Sequence, residues 1–153
     1  MKNWFYLTLM VMAVAFCACS KEDEEPIEPQ LDVTPHNISG TWQLESWHNG
    51  VQLAEGAYLY LELIRKDGCF KSYDNIESAA PRYRTGQFNI EIDPELGAII
   101  RGMYDYSGGD WNHRYIVTSL TASKMIWVAK NDPSEVSVYV RSTIPEEVLG
   151  AAK

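Results

Sequence analysis

The residues best suited to hold a ligand lie in one glycine-containing segment of the chain. This segment, Tyr104-Asp105-Tyr106-Ser107-Gly108-Gly109-Asp110-Trp111, combines aromatic rings with carboxylates. Aromatic faces can stack on a sugar or another polar ligand, and carboxylates can accept hydrogen bonds from its hydroxyl groups. The candidate ligand-binding residues here are Tyr104, Tyr106, Asp110 and Trp111. The alternative is a hairpin turn flanked by aromatic pairs that only stabilise a sheet.

Trp47 is a further candidate ligand-binding residue. It begins the sequence Trp47-His48-Asn49-Gly50, in which the Asn-Gly pair is typical of a type I′ hairpin turn. An aromatic ring beside a turn could belong to the rim of a binding site. It could equally well serve only to stabilise the hairpin.

Nothing in the sequence indicates catalysis or a metal site. Asp105 and Asp110 are carboxylates of the kind that glycosidases use, but two acids flanking a Gly-Gly turn are too common to predict that chemistry. His36, His48 and His113 lack the spacing of metal ligands. The sequence also lacks a Gly-x-Ser-x-Gly motif, a phosphate loop and a dinucleotide fingerprint. We therefore expect a protein that is not an enzyme and has no cofactor.

The three cysteines occupy different settings. Cys17 and Cys19 follow residues 4–16, an uncharged apolar run that comes after Lys2. This run is too short to cross a bilayer as a helix and is typical of a signal peptide. Cys69 remains alone within the mature chain, so it has no internal disulfide partner, and we expect it to pack as a small apolar side chain.

The end of this leader, Phe16-Cys17-Ala18-Cys19, resembles a bacterial lipobox. The resemblance implies a signal peptide over residues 1–18, cleavage before Cys19, and lipidation of Cys19. Each buried methylene of an acyl chain contributes about 0.8 kcal/mol, and more than one chain gives stable anchoring. We therefore expect the membrane to be a partner of the protein through its N-terminal lipid.

The residues after Cys19, Ser20-Lys21-Glu22-Asp23-Glu24-Glu25, are similar to the acidic export signal of lipoproteins in Bacteroidetes. That resemblance implies a location on the outer membrane, exposed at the cell surface. Dense like charges also make a solvated spacer, and with the prolines that follow they predict an acidic, Pro-rich tether over residues 19–37. The formal net charge of −8 leaves no basic face for nucleic acid.

The rest of the chain predicts an all-β domain. Short runs rich in strand-forming residues are separated by turn residues, at the spacing of a sandwich or barrel. The runs cover residues 40–48, 57–65, 69–74, 82–93, 98–106, 112–120, 125–130 and 136–142. Short links favour antiparallel neighbours, and closing eight strands removes both exposed edges. We predict an eight-stranded antiparallel up-and-down barrel over residues 38–145 and a C-terminal tail over residues 146–153.

Alternation within the runs predicts which side chains face the interior. Leu59, Leu61 and Leu63 alternate with Tyr60 and Glu62. The run 82–93 likewise places Phe88, Ile90 and Ile92 on one face, which we expect to be the dry one. A barrel of eight strands is either filled by such side chains or just wide enough to hold one small ligand.

The start of the first strand and the end of the last one resemble those of lipocalins. Gly40-Thr41-Trp42 matches the Gly-x-Trp pattern of the first strand, and Arg141 lies in the last strand. The resemblance is to the lipocalin-like domain lipoproteins of Bacteroidetes. It implies a small lipocalin-like barrel in which Gly40, Trp42 and Arg141 are structural, with Arg141 in cation–π contact with Trp42.

Two functions are compatible with these features. The first is a non-catalytic outer-membrane lipoprotein that binds a small molecule or glycan through the mouth of its barrel. The second is a protein-interaction module, such as an inhibitor or an accessory subunit of an envelope complex, with Tyr58, Tyr60 and Trp111 as exposed anchors. An internal cavity of a few hundred cubic ångströms favours the first function, and a solid core favours the second.

Overall fold

The computed structural model describes residues 27–78 and 80–151, and these residues form a closed β-barrel. The predicted signal peptide, Cys19 and the acidic run after it lie outside the described residues. No helix in the described part of the chain is both long enough and apolar enough to cross a membrane.

The barrel consists of eight antiparallel strands and one short additional strand. The strands are β1 (Gly40–Trp47), β2 (Val51–Gln52), β3 (Leu59–Ile64), β4 (Cys69–Asp74), β5 (Arg82–Asp93), β6 (Gly97–Tyr104), β7 (Tyr115–Leu120), β8 (Lys124–Ala129) and β9 (Asp132–Arg141). From β3 onward each strand pairs with the next, while β1 pairs with both β3 and β9 and thereby closes the ring. β2 pairs only with the end of β1. The predicted eight-stranded antiparallel up-and-down barrel is confirmed, and each predicted run overlaps one barrel strand.

The alternation predicted for β3 agrees with the observed burial. Leu61 and Leu63 are buried in the main core cluster, whereas Tyr60 belongs to a separate cluster on the other face. The expectation for Ile92 was wrong, because its side chain is 73% exposed. Beyond residue 87, β5 pairs only with β6, so Ile92 lies in a two-stranded extension that no other strand covers.

A short helix and a cation–π pair close one end of the barrel. Helix α1 (Pro35–Ile38) is capped by the Thr34 side chain and brings the fully buried Ile38 over the core. The indole N–H of Trp42 donates to the Ile38 carbonyl at 2.8 Å. The Arg141 guanidinium carbon lies 3.7 Å from the ring centroid of Trp42, which is the contact that the lipocalin resemblance implies.

Gly40 is required for this closure. Its φ of +123° is a conformation that residues with a side chain rarely adopt. A Cβ atom at this position would also collide with Nη1 of Arg141. The glycine of the Gly-x-Trp pattern is therefore needed because the Arg141 side chain lies too close to residue 40 to leave room for a Cβ atom.

The chain before α1 lies against this closed end. The Glu28 carboxylate accepts hydrogen bonds from the backbone N–H and the hydroxyl of Ser123, at 3.0 and 2.8 Å. The Leu31 N–H donates to the Leu120 carbonyl at 2.8 Å, and Val33 packs against the core. Part of the predicted tether is therefore bound to the barrel, and these contacts begin before the predicted boundary at residue 38.

Within the predicted C-terminal tail, residues 146–151 form a short helix. Helix α2 (Glu146–Ala151) buries Val148 against the outer faces of Tyr60 and Tyr73. Tyr60 is only 7% exposed as a result. The expectation that Tyr60 is an exposed anchor was wrong, because the sequence did not indicate that this helix covers it.

Candidate functional site

The open half of the barrel contains a cavity of about 370 Å³. Large side chains fill the half nearer Trp42, among them the fully buried Ile100, Leu120 and Met125. Towards the opposite end, the inner side chains leave space between them. Ligand cavities commonly have volumes of about 300–1,000 Å³, so this one is at the small end of that range.

One wall of the cavity is aromatic. Trp111, Tyr115, Trp127 and Tyr139 line it and contact one another in series. The ring centroids of Trp111 and Trp127 are 5.6 Å apart, and those of Trp127 and Tyr139 are 4.8 Å apart. A Cβ atom on Gly102 would collide with the Trp111 ring, so the absence of a side chain at residue 102 makes room for the indole.

The other wall is polar and comes from β4 and β5. Asp74 and Arg82 are cross-strand partners, as are Ser72 and Arg84. Asp74 is fully buried, and its Oδ1 accepts hydrogen bonds from Nε and Nη2 of Arg82. Its Oδ2 accepts a hydrogen bond from Nη2 of Arg84 at 2.9 Å. A buried carboxylate needs such partners, because the loss of hydration is otherwise uncompensated.

Burial keeps the tyrosines of the cavity neutral. Desolvation raises the pKa of Tyr115 to about 12 and also raises the pKa of the buried Tyr139. Desolvation raises the pKa of Tyr104 as well, while the nearby Arg84 opposes this effect. A tyrosine with its ordinary pKa of about 10 is already protonated at neutral pH, and burial keeps these three phenols protonated, and able to donate hydrogen bonds, to higher pH.

The structure brings together some of the ligand-binding candidates and separates others. Trp47, Tyr104 and Trp111 line the cavity. Tyr106 is 98% exposed at the tip of a turn in which it and Ser107 both have positive φ. Asp110 is exposed and lines a separate depression outside the barrel. For Tyr106 and Asp110 the hairpin interpretation fits better, because the turn directs both of them away from the cavity.

A type I′ hairpin turn was predicted after Trp47, at the Asn-Gly pair. The observed turn is centred one residue earlier. The Gly50 N–H donates to the Trp47 carbonyl at 3.1 Å, so His48 and Asn49 are the central residues. Both have positive φ, as a type I′ turn requires. His48 Nδ1 lies 2.6 Å from a carboxylate oxygen of Glu135, which joins this turn to β9 at the rim of the cavity.

The polar wall was missed from the sequence, although a signal for it exists. The inner face of β4 continues by alternation from Phe70 to Ser72 and Asp74. The inner face of β5 continues from Phe88 back to Arg84 in the same way. Applying the period of two beyond the apolar residues would have placed these polar side chains inside.

Within residues 27–78 and 80–151, no three His, Cys, Asp or Glu side chains lie close enough together to hold a metal ion. His48 is instead paired with Glu135, and His113 contacts the amide of Asn131 at 3.0 Å. Cys69 is a free, partly exposed cysteine.

No family model matches the sequence, and no curated protein matches it. A solved structure that is similar to this chain is a lipocalin-like protein from Bacteroides uniformis ATCC 8492, at 15% identity. The likeness covers 69% of this chain and 99% of that chain, with a TM-score of 0.49. The assignment of the fold therefore rests on the strand pairing described above.

Proposed function

We propose that this protein is a non-catalytic outer-membrane lipoprotein, anchored through Cys19, that binds a small molecule or glycan inside its barrel. The observation that carries the proposal is the cavity of about 370 Å³ in the open half. A barrel that served only as a scaffold would gain stability by filling this space, because packed side chains add dispersion contacts.

The two ends of the barrel have complementary roles in this proposal. Trp42 and Arg141 seal one end, so a ligand enters at the other end, between Trp47 at the end of β1 and Trp111 in the connection from β6 to β7. Aromatic rings provide area for contact, and a few polar groups set the orientation of the ligand. The aromatic and polar walls of the cavity supply both.

The proposal also includes the lipid anchor and the surface location, which rest on the sequence after residue 16. The lipobox-like Cys19 and the acidic run support an anchored protein. Glu28 contacts the barrel, and only a short stretch of sequence lies between it and Cys19. We therefore propose that the barrel stands close to the membrane surface rather than at the end of a long tether.

The alternative function, a protein-interaction module, has less support. Of its three proposed anchors, Tyr60 is buried beneath α2 and Trp111 packs against the core cluster. Tyr58 is partly buried beside Tyr60. The cavity is the feature that a ligand-binding protein needs and an interaction module does not.

A cavity-filling variant tests the proposal. The protein, purified in detergent, is screened by native mass spectrometry and thermal shift against a panel of lipids, oligosaccharides and small aromatic compounds. Ser137 lines the cavity, so Ser137→Phe should abolish any binding that the wild type shows. Gln87 is exposed on the outer face of β5, and Gln87→Phe should leave binding unchanged. Absence of binding across the panel, or binding that survives Ser137→Phe, would contradict the proposal.

A further inference from the structure

Two unpartnered polar groups lie next to each other on the polar wall of the cavity. Ser72 Oγ and Arg84 Nε are buried and have no hydrogen-bond partner among the described residues. The Ser72 residue is 5% exposed. Burying a donor without a partner costs free energy, so such groups require an explanation in a folded protein. Because the two residues are cross-strand partners, one acceptor group can serve both.

The same part of the wall carries an excess of positive charge. Two guanidinium groups share the single buried carboxylate of Asp74. Arg82 uses two of its nitrogens on that carboxylate, and its Nη2 also lies 3.8 Å from Glu77. Arg84 makes only one hydrogen bond to Asp74. The Arg84 guanidinium also lies over the Tyr104 ring, with its carbon 4.5 Å from the ring centroid. The charge of Arg84 is therefore only partly compensated.

The other acidic groups that line the cavity do not remove this excess. The Glu77 side chain is 68% exposed, so water screens its charge. Glu135 is engaged with His48 at the rim, at 2.6 Å. The Arg84 side chain is 35% exposed, so water screens its charge less than that of Glu77, and it interacts more strongly with a bound anion than a fully exposed charge would.

The wall that faces Arg84 offers flat apolar surfaces. In the ring of eight strands, β8 lies four strands from β4, so the two stand on opposite sides of the barrel. Trp127 on β8 and Trp111 form the aromatic wall, with an interplanar angle of 31°. The cavity has the volume of about a dozen water molecules at about 30 Å³ each, which suits a molecule with one or two rings.

We propose that the ligand of this cavity is a small aromatic carboxylate. Its carboxylate accepts hydrogen bonds from Arg84 and Ser72, and its ring lies against Trp111 and Trp127. This inference rests on the proposed ligand-binding function and adds the chemical class of the ligand. Charge-assisted hydrogen bonds to a guanidinium are among the strongest that a carboxylate can make, so the acidic group should dominate recognition.

A matched pair of probes tests the ligand class. Isothermal titration of the protein with 2-naphthoate and with 2-naphthylmethanol compares one ring system with and without the charge. We expect 2-naphthoate to bind about 10- to 100-fold more tightly, the range for a charged hydrogen bond in a partly enclosed site. Arg84→Gln should remove this preference, and Ser72→Ala should reduce it. Arg101→Gln, on the outer face of β6, should leave the preference unchanged.

The outcomes separate this inference from the proposed function. Equal binding of both probes, or a preference that persists in Arg84→Gln, would overturn the ligand class while leaving a ligand-binding cavity. Binding of neither probe would overturn the ligand class, and the wider panel with Ser137→Phe then decides the proposed function independently. If Arg84→Gln fails to fold by circular dichroism, the wild-type comparison and Ser72→Ala decide the ligand class.

Discussion

Arg141 lies over Trp42 across the β1–β9 pair, with its guanidinium carbon 3.7 Å from the ring centroid. The same guanidinium donates hydrogen bonds to the carbonyls of Ser39 and Asn37, at 2.6 and 3.2 Å. One side chain thus joins the last strand, the first strand and the capping helix. This arrangement closes one end of the barrel and leaves the other end available to a ligand.

Replacing Arg141 should destabilise the protein substantially. Arg141→Met removes the cation–π contact and leaves backbone carbonyls at the closed end without their donor. We expect a loss of about 2–4 kcal/mol in the free energy of unfolding, measured by urea denaturation. Arg101→Met is the control, because Arg101 forms an exposed pair with Glu91 and should cost at most about 1 kcal/mol. Equal effects of the two variants would contradict the role of Arg141.

The backbone at Gly40 should not tolerate a side chain. Gly40→Ala places a Cβ atom at a φ of +123° and against Arg141, so we expect a loss of about 1–3 kcal/mol in thermal or urea unfolding. Gly150 in α2 has free space around it, and Gly150→Ala should be neutral or slightly stabilising because alanine favours helix. A neutral Gly40→Ala would show that the strand start is more adaptable than described.

The buried Tyr115 should make the protein sensitive to alkali. Its pKa of about 12 in the folded state exceeds the ordinary value of 10.0, so the folded state retains this proton longer than the unfolded state. The contribution of Tyr115 to stability should therefore be unaffected below about pH 10 and should fall by about 2 kcal/mol as the pH rises to 12.

Tyrosinate absorbance and urea denaturation as a function of pH can check this behaviour. Tyr115→Phe should remove part of the absorbance change near pH 12 and lessen the alkaline loss of stability. Tyr106→Phe, at a position that is 98% exposed, is the control and should alter neither result near that pH. If Tyr115→Phe instead removed absorbance change near pH 10, Tyr115 would ionise at the ordinary tyrosine value and the effect of burial would be contradicted.

Cys19 should determine whether the protein is attached to a membrane. Cys19→Ser should release the protein from the membrane fraction and abolish labelling by radioactive palmitate. Cys17→Ser should retain both properties, because the lipid belongs on the cysteine that follows Ala18. Membrane retention together with palmitate labelling of Cys19→Ser would mean that the anchor lies elsewhere.

Much of the barrel could be predicted from local sequence. Leu59, Leu61 and Leu63 identify a strand by alternation alone, and the Gly and Pro residues between runs identify the turns. The alternation and the turns depend on short stretches of chain, which is why they could be recognised without the structure. How the ends of the barrel meet, through Gly40, Trp42 and Arg141, was instead implied by the resemblance to lipocalins.

The position of the ligand cavity depended on contacts that are distant along the chain. Asp74 ends a predicted strand, and its carboxylate can be buried because Arg82 and Arg84 reach it from the next strand. The burial of Tyr60 likewise depends on Val148, which arrives from the C-terminal helix. Tyr106 and Trp111 are close in sequence. Tyr106 nevertheless lies exposed at the tip of a hairpin turn, whereas Trp111 lines the cavity.

Nuclear magnetic resonance of the tryptophan indole N–H groups tests most directly whether the barrel interior binds a ligand. Trp111 and Trp127 line the cavity, while Trp42 is sealed at the closed end and serves as an internal control. Addition of 2-naphthoate should shift the indole signals of Trp111 and Trp127, leave that of Trp42 in place, and have no such effect on Ser137→Phe. Binding that leaves the Trp111 and Trp127 signals unchanged, or that persists in Ser137→Phe, would contradict a ligand site inside the barrel.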